Sequence, residues 1–88
     1  MSKKWILLYE TASLPKAQAN FAAHKARLNE FQARGALLMV GTLGDPPSGA
    51  LAVFTTREAA EEFTKDDPFV LHGAVKPGVI QEWNEVLT

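Results

Sequence analysis

Two apolar runs of strand length, 36–43 and 50–55, flank Gly44-Asp45-Pro46-Pro47-Ser48-Gly49, a stretch through which neither helix nor strand can continue. Proline lacks an N–H and glycine and aspartate accept turn conformations, so the chain reverses there. The two runs therefore form an antiparallel hairpin, and the rest of the chain has to be arranged around it. Upstream, Trp5-Ile6-Leu7-Leu8-Tyr9-Glu10 is a compact aromatic and branched run suited to a central strand buried on both faces. From Pro15 to about Arg34 the period becomes helical, with Ala17, Phe21, His24, Leu28 and Phe31 spaced by four, three, four and three. Ser13 is placed to cap this helix, Pro15 sits in its first turn, and Gly35 stops it. After the hairpin, Thr55-x-x-Glu58 or Thr56 itself caps a second helix from Arg57 to about Lys65, whose apolar side carries Ala59, Ala60 and Phe63. Asp67-Pro68 opens a further helical turn that ends by His72-Gly73. The chain then loops through Lys76-Pro77-Gly78, and Val79 to Leu87 alternates as a last strand.

The order is βαββαβ. This is an α+β, ferredoxin-like arrangement with a four-stranded antiparallel sheet and both helices on one face. Residues 1–88 leave room for one domain only. A chain of this length buries roughly 60 to 65% of its unfolded surface. The sheet face without helices is apolar, and the expectation is that a second copy covers it, giving a homodimer through the open sheet faces and a dimeric α+β barrel.

Charge narrows the partners. The formal net charge is −1 and the longest like-charge runs are Lys3-Lys4 and Glu61-Glu62, so no basic patch is on offer to a phosphate backbone and no nucleic-acid partner is expected. The chain has no cysteine, which excludes disulfides, thiolate nucleophiles and cysteine-ligated metals. The N-terminal apolar run ends at Glu10, too early for a signal peptide or a membrane span, and a cytoplasmic location is expected. Gly44-Asp45-Pro46 has no phosphate-loop pattern, and His72 with His24 lacks a third ligand at a recognisable spacing. No cofactor or metal is expected.

The remaining chemistry rests on one imidazole and one carboxylate. His24 interrupts the apolar stripe of the first helix, a turn away from Phe21 and from Leu28, so it faces the sheet rather than water. An imidazole in such surroundings suits a general base, while a core histidine bonded to a backbone carbonyl fits the same spacing. Asp67 before Pro68 is the residue type that caps a helical turn, and capping alone explains it. A carboxylate so placed also suits the orienting of a catalytic base. Tyr9, at the end of the first strand, has a hydroxyl within reach of the same region, and Gly41, Thr42 and Phe69 are candidate walls of a ligand pocket.

Three segments, in order, resemble the YciI-like (YCII-related) family: Ala23-His24-Lys25-Ala26-Arg27-Leu28, Gly35-Ala36-Leu37-Leu38-Met39-Val40-Gly41, and the stretch from Glu58-Ala59-Ala60 through Asp66-Asp67-Pro68-Phe69-Val70 to Gly73. The resemblance spans nearly the whole chain, from the Tyr9 strand to the last one. It implies a ferredoxin-like dimer with an active site built on a histidine and an aspartate, which match His24 and Asp67. It further implies elimination or isomerisation of small, often aromatic or lactone-like molecules by proton abstraction. Tyr9 or a backbone amide is the expected oxyanion donor. The chain departs from the family pattern in its short hairpin, where longer members insert residues. Against the enzyme stand two alternatives: a non-catalytic module that binds a small ligand, and a dimerisation module in which His24 and Asp67 lie out of reach of one another.

Overall fold

The hairpin forms where its turn residues require it. In the computed structural model, which describes residues 3–87, β2 (Leu37–Leu43) and β3 (Gly49–Phe54) run antiparallel with Thr42 opposite Ala50 and Leu43 opposite Gly49. Gly44 enters the turn at φ 76°, a left-handed conformation that glycine adopts without strain, and the Ser48 amide donates to the Leu43 carbonyl at 2.8 Å. A bulge between Leu37 and Met39 interrupts the register near the start of β2. On its other side β3 pairs with β1 (Lys3–Thr11), placing Trp5 opposite Phe54 and Tyr9 opposite Ala50. Gly49 belongs to that seam, because a Cβ there would strike the Tyr9 carbonyl oxygen.

Two helical segments replace the single helix expected over 15–34. α1 (Leu14–Ala19) is capped by Ser13, whose hydroxyl accepts from the Lys16 amide at 3.2 Å, and α2 (Phe21–Ala33) follows after a break at Asn20. At the break the Lys16 carbonyl accepts from both the Asn20 backbone amide at 3.1 Å and the Asn20 side-chain amide at 2.9 Å, which closes α1. Gly35 ends α2 at φ 74°, as the sequence indicates. α3 (Arg57–Asp66) starts at Thr56, whose hydroxyl accepts from the Ala59 amide, and α4 (Pro68–Leu71) starts at Asp67.

The last strand is also divided. β4 (Val75–Pro77) pairs with Tyr9–Thr11 and β5 (Gln81–Asn84) pairs with Lys3–Ile6, both along the free edge of β1. The loop expected over 76–78 and the single strand expected over 79–87 do not form. Instead, Pro77 ends the first piece because it has no N–H to donate, and the Gly78 amide bonds to the Leu8 carbonyl at 2.7 Å as the chain crosses between the two. The sheet order β2-β3-β1-β4, with β5 in the same lane as β4, gives five strands in four lanes, all antiparallel.

Alternation along the strands sorts the two faces. Leu7, Tyr9, Leu37, Ala52 and Phe54 pack with Phe31 of α2 and with Ala60 and Phe63 of α3 into one core. The opposite face carries Leu8, Met39, Leu43 and Trp83, all exposed, with Met39 at 64%.

Candidate functional site

His24 and Asp67 meet. The His24 Nδ1 lies 2.8 Å from one Asp67 carboxylate oxygen, and the Tyr9 hydroxyl donates to the other at 2.6 Å. The Phe69 amide donates to the first oxygen at 3.2 Å, so Asp67 caps α4 and holds the histidine with the same carboxylate. Asp67 is fully buried, at 0% exposure, and His24 and Tyr9 are nearly so. A module with these two residues out of reach is not what this chain forms.

Each position follows from local folding. Asp67 is the residue between α3 and α4, where its backbone is extended and its side chain is free to turn inward. His24 sits in the second turn of α2, and Arg27 one turn later donates from its guanidinium to the Glu62 and Phe63 carbonyls at 3.1 and 3.0 Å. Those carbonyls lie near the C-terminal end of α3. Arg27 thereby fixes α2 against the end of α3, which keeps the His24 and Asp67 elements in register. Phe69 completes the site: its ring stacks on the imidazole at 3.8 Å and 4°, while Phe63 meets the same imidazole edge-on at 6.1 Å.

The hydrogen-bond network assigns the tautomer. A carboxylate oxygen only accepts, so the His24 nitrogen facing Asp67 is the protonated one, and in the uncharged ring Nε2 carries the lone pair. His24 lines a largely apolar cavity of about 590 Å³, whose walls include Leu14, Phe21, Leu28 and Val40. Tyr9, Gly41, Thr42 and Phe69 line it as well, whereas Asp67 sits behind the histidine and does not.

Tyr9 departs from its expected part. Its hydroxyl is committed to Asp67 and is not presented as an oxyanion donor. Burial, then the hydrogen bond and the charge of Asp67, push the phenol far above its ordinary range, with Arg27 opposing. Because the folded value lies above the unfolded one, this stability is complete below about pH 10 and is lost as the pH rises further. Tyr9→Phe is therefore expected to cost about 1 to 3 kcal/mol at neutral pH, since it leaves a buried carboxylate oxygen without its donor. That gap should narrow by about 1.4 kcal/mol for each pH unit above 10, because only the wild type must retain a phenol proton. Urea unfolding at pH 7, 10 and 11 measures it; a gap independent of pH would contradict the assignment.

Sequence reasoning also missed part of the wall. Pro47 and Gly49 reach the cavity from the short hairpin, held by the Thr11 hydroxyl, which donates to the Pro47 carbonyl at 3.1 Å. Ala17, Phe21 and Leu28 belong to the stripe that was read as core, and their spacing placed them beside His24. Lys25, which no apolar pattern selects, borders the cavity too. His72 closes α4 as an exposed residue and does not line it.

Fold and site together define a small α+β protein with a ferredoxin-like antiparallel sheet and a buried His–Asp–Tyr group beside a cavity. The chain belongs to the YCII-related domain family, whose model matches residues 5–84. Three solved structures share the fold. A 5-chloro-2-hydroxyhydroquinone dehydrochlorinase from Burkholderia phenoliruptrix, in complex with 2,5-dihydroxybenzoquinone, is 19% identical at a TM-score of 0.59 over 92% of each chain. A candidate antibiotic biosynthesis monooxygenase from Nitrosomonas europaea is 9% identical at a TM-score of 0.62, over 96% of this chain and 90% of its own. SnoaB, a cofactor-independent oxygenase from Streptomyces nogalater, is 19% identical at 0.51, over 98% and 94%. No curated protein sequence matches this one significantly. Among the described residues no helix is long and apolar enough to cross a membrane.

Proposed function

We propose that this chain is a small cofactor-independent lyase or isomerase, acting in the cytoplasm as a homodimer, in which His24 removes a proton from a carbon beside an electron-withdrawing group of a small aromatic or lactone-like ring. The observation that carries this reading is a fully buried carboxylate bonded to one ring nitrogen of a histidine that lines a cavity. The carbon–hydrogen bond breaks, the proton passes to His24 Nε2, and the electron pair moves onto the neighbouring carbonyl. The imidazolium so formed faces Asp67, whose negative charge offsets it. Return of the proton at another carbon completes an isomerisation; loss of a leaving group completes an elimination. The dehydrochlorinase among the fold neighbours makes halogenated hydroxyhydroquinones the first substrates to test.

Turnover of halogenated hydroxyhydroquinones and of small unsaturated lactones, followed by solvent deuterium incorporation, tests the reading. The expected result is deuterium at the reacting carbon with wild type and none with His24→Gln. If a ring binds without exchange, and equally well to both proteins, the chain is a binding module.

The homodimer follows from the open sheet face, where Leu8, Met39, Leu43 and Trp83 would otherwise remain in water. Light scattering is expected to give twice the 9.6 kDa chain mass. A monomer at micromolar concentration would contradict it.

A further inference from the structure

We infer that Lys25 is the anion-recognising group of the cavity, and that the ligand is a small ring bearing an ionised oxygen, whether carboxylate, enolate or quinone-type hydroxyl, held at the rim while a ring carbon faces His24. The inference rests on the proposed use of this cavity by a small ring.

Charge is the first ground. Among the described residues no aspartate or glutamate lines the cavity, and its basic side chains are His24 and Lys25. Asp67 lies behind the imidazole, with its oxygens engaged by the Tyr9 hydroxyl, the Phe69 amide and His24. Lys25 makes no ion pair among the described residues, whereas Lys3 and Arg34 each face a carboxylate and Arg27 is spent on the α3 carbonyls. A free ammonium beside an acid-free apolar cavity selects anions, because the apolar walls screen the attraction less than water does.

Position is the second. Lys25 follows His24 on α2 and stands one turn after Phe21, so the two share a stripe of the helix. Phe21 is 55% exposed and Lys25 is exposed as well, and both residues border the cavity. A ring with one charged oxygen meets both.

The chemistry supplies the third. Removing a carbon-bound proton to Nε2 leaves an electron pair on the substrate carbonyl oxygen, and that oxygen needs a donor as its charge grows. The Tyr9 hydroxyl is committed to Asp67, and that of Thr11 to the Pro47 carbonyl. Gln18 and Thr42 remain as neutral donors, and Lys25 is the group of opposite charge.

Calorimetric titration with two matched rings tests this. 2,5-Dihydroxybenzoquinone is a vinylogous acid, anionic at neutral pH; 2,5-dimethoxybenzoquinone has the same ring and no acidic proton. Wild type is expected to prefer the first. Lys25→Gln should weaken its binding about tenfold while leaving the dimethoxy ring within about twofold, the size of one charge-assisted hydrogen bond. Added salt should weaken only the ionised ring. Equal loss for both rings, or no loss for either, overturns the assignment to Lys25 and leaves the small-ring cavity standing. Binding of neither ring overturns both.

Discussion

His24→Gln is expected to lower turnover by about 10² to 10⁴, the range that positioned acid–base catalysis contributes. Glutamine can still donate a side-chain N–H towards Asp67, yet its amide nitrogen has no basic lone pair. The substitution therefore separates the base from the packing. His24→Ala should lose the same factor in rate and cost more in stability, because it also removes the ring stacked on Phe69 and one of the three partners of a buried carboxylate. Thermal unfolding followed by circular dichroism distinguishes the two variants. A folded His24→Gln protein with undiminished turnover would remove His24 from the chemistry.

Asp67→Ala should be the most damaging single change to the fold. It removes a helix cap and strands two buried donors, the Tyr9 hydroxyl and the His24 ring N–H, at a cost of about 3 to 5 kcal/mol. A domain of this size has about 4 to 13 kcal/mol in all, so that loss brings it close to unfolding. Asp67→Asn should be milder, and for a geometric reason. The Phe69 N–H and the His24 N–H point at the same oxygen, so the amide must place its own oxygen there and its NH₂ towards Tyr9. The tautomer of His24 is then retained, but the Tyr9 hydroxyl exchanges a charged acceptor for an amide N–H that it can only accept from, and the imidazolium loses its counter-charge. Turnover should fall, and Tyr9→Phe should cost less in the Asp67→Asn background than in the wild type, since its bond to the carboxylate is already gone. Urea unfolding of the two single variants and the double variant reads this as a positive coupling. Simple additivity would show that Tyr9 does not act through Asp67.

How much of this was readable beforehand varies by element. The hairpin was legible because Gly44 to Gly49 admits no continuation, and the caps at Ser13, Thr56 and Asp67 because each local motif is self-contained. The break at Asn20 was not, since asparagine costs only a few tenths of a kcal/mol inside a helix and the deciding bond to Lys16 depends on the bend itself. The split of the final strand was hidden because Val75-Lys76-Pro77 is too short to signal a strand and pairs only once β1 offers its edge. At the site, helical spacing put His24 on the buried side of α2 and capping chemistry placed Asp67, while their meeting across 43 residues lies beyond any local pattern. Tyr9 was legible as a neighbour of the site. Its commitment to Asp67, 58 residues away, is a product of the fold.

The central claim is that Asp67 fixes the His24 ring with its proton on Nδ1, leaving Nε2 as the base. Long-range nitrogen–proton NMR on ¹⁵N-labelled protein reads this directly from the two ring nitrogens. In the uncharged ring, the account predicts a protonated Nδ1 and an Nε2 with the shift of an unprotonated nitrogen. A neutral ring carrying its proton on Nε2 would contradict it.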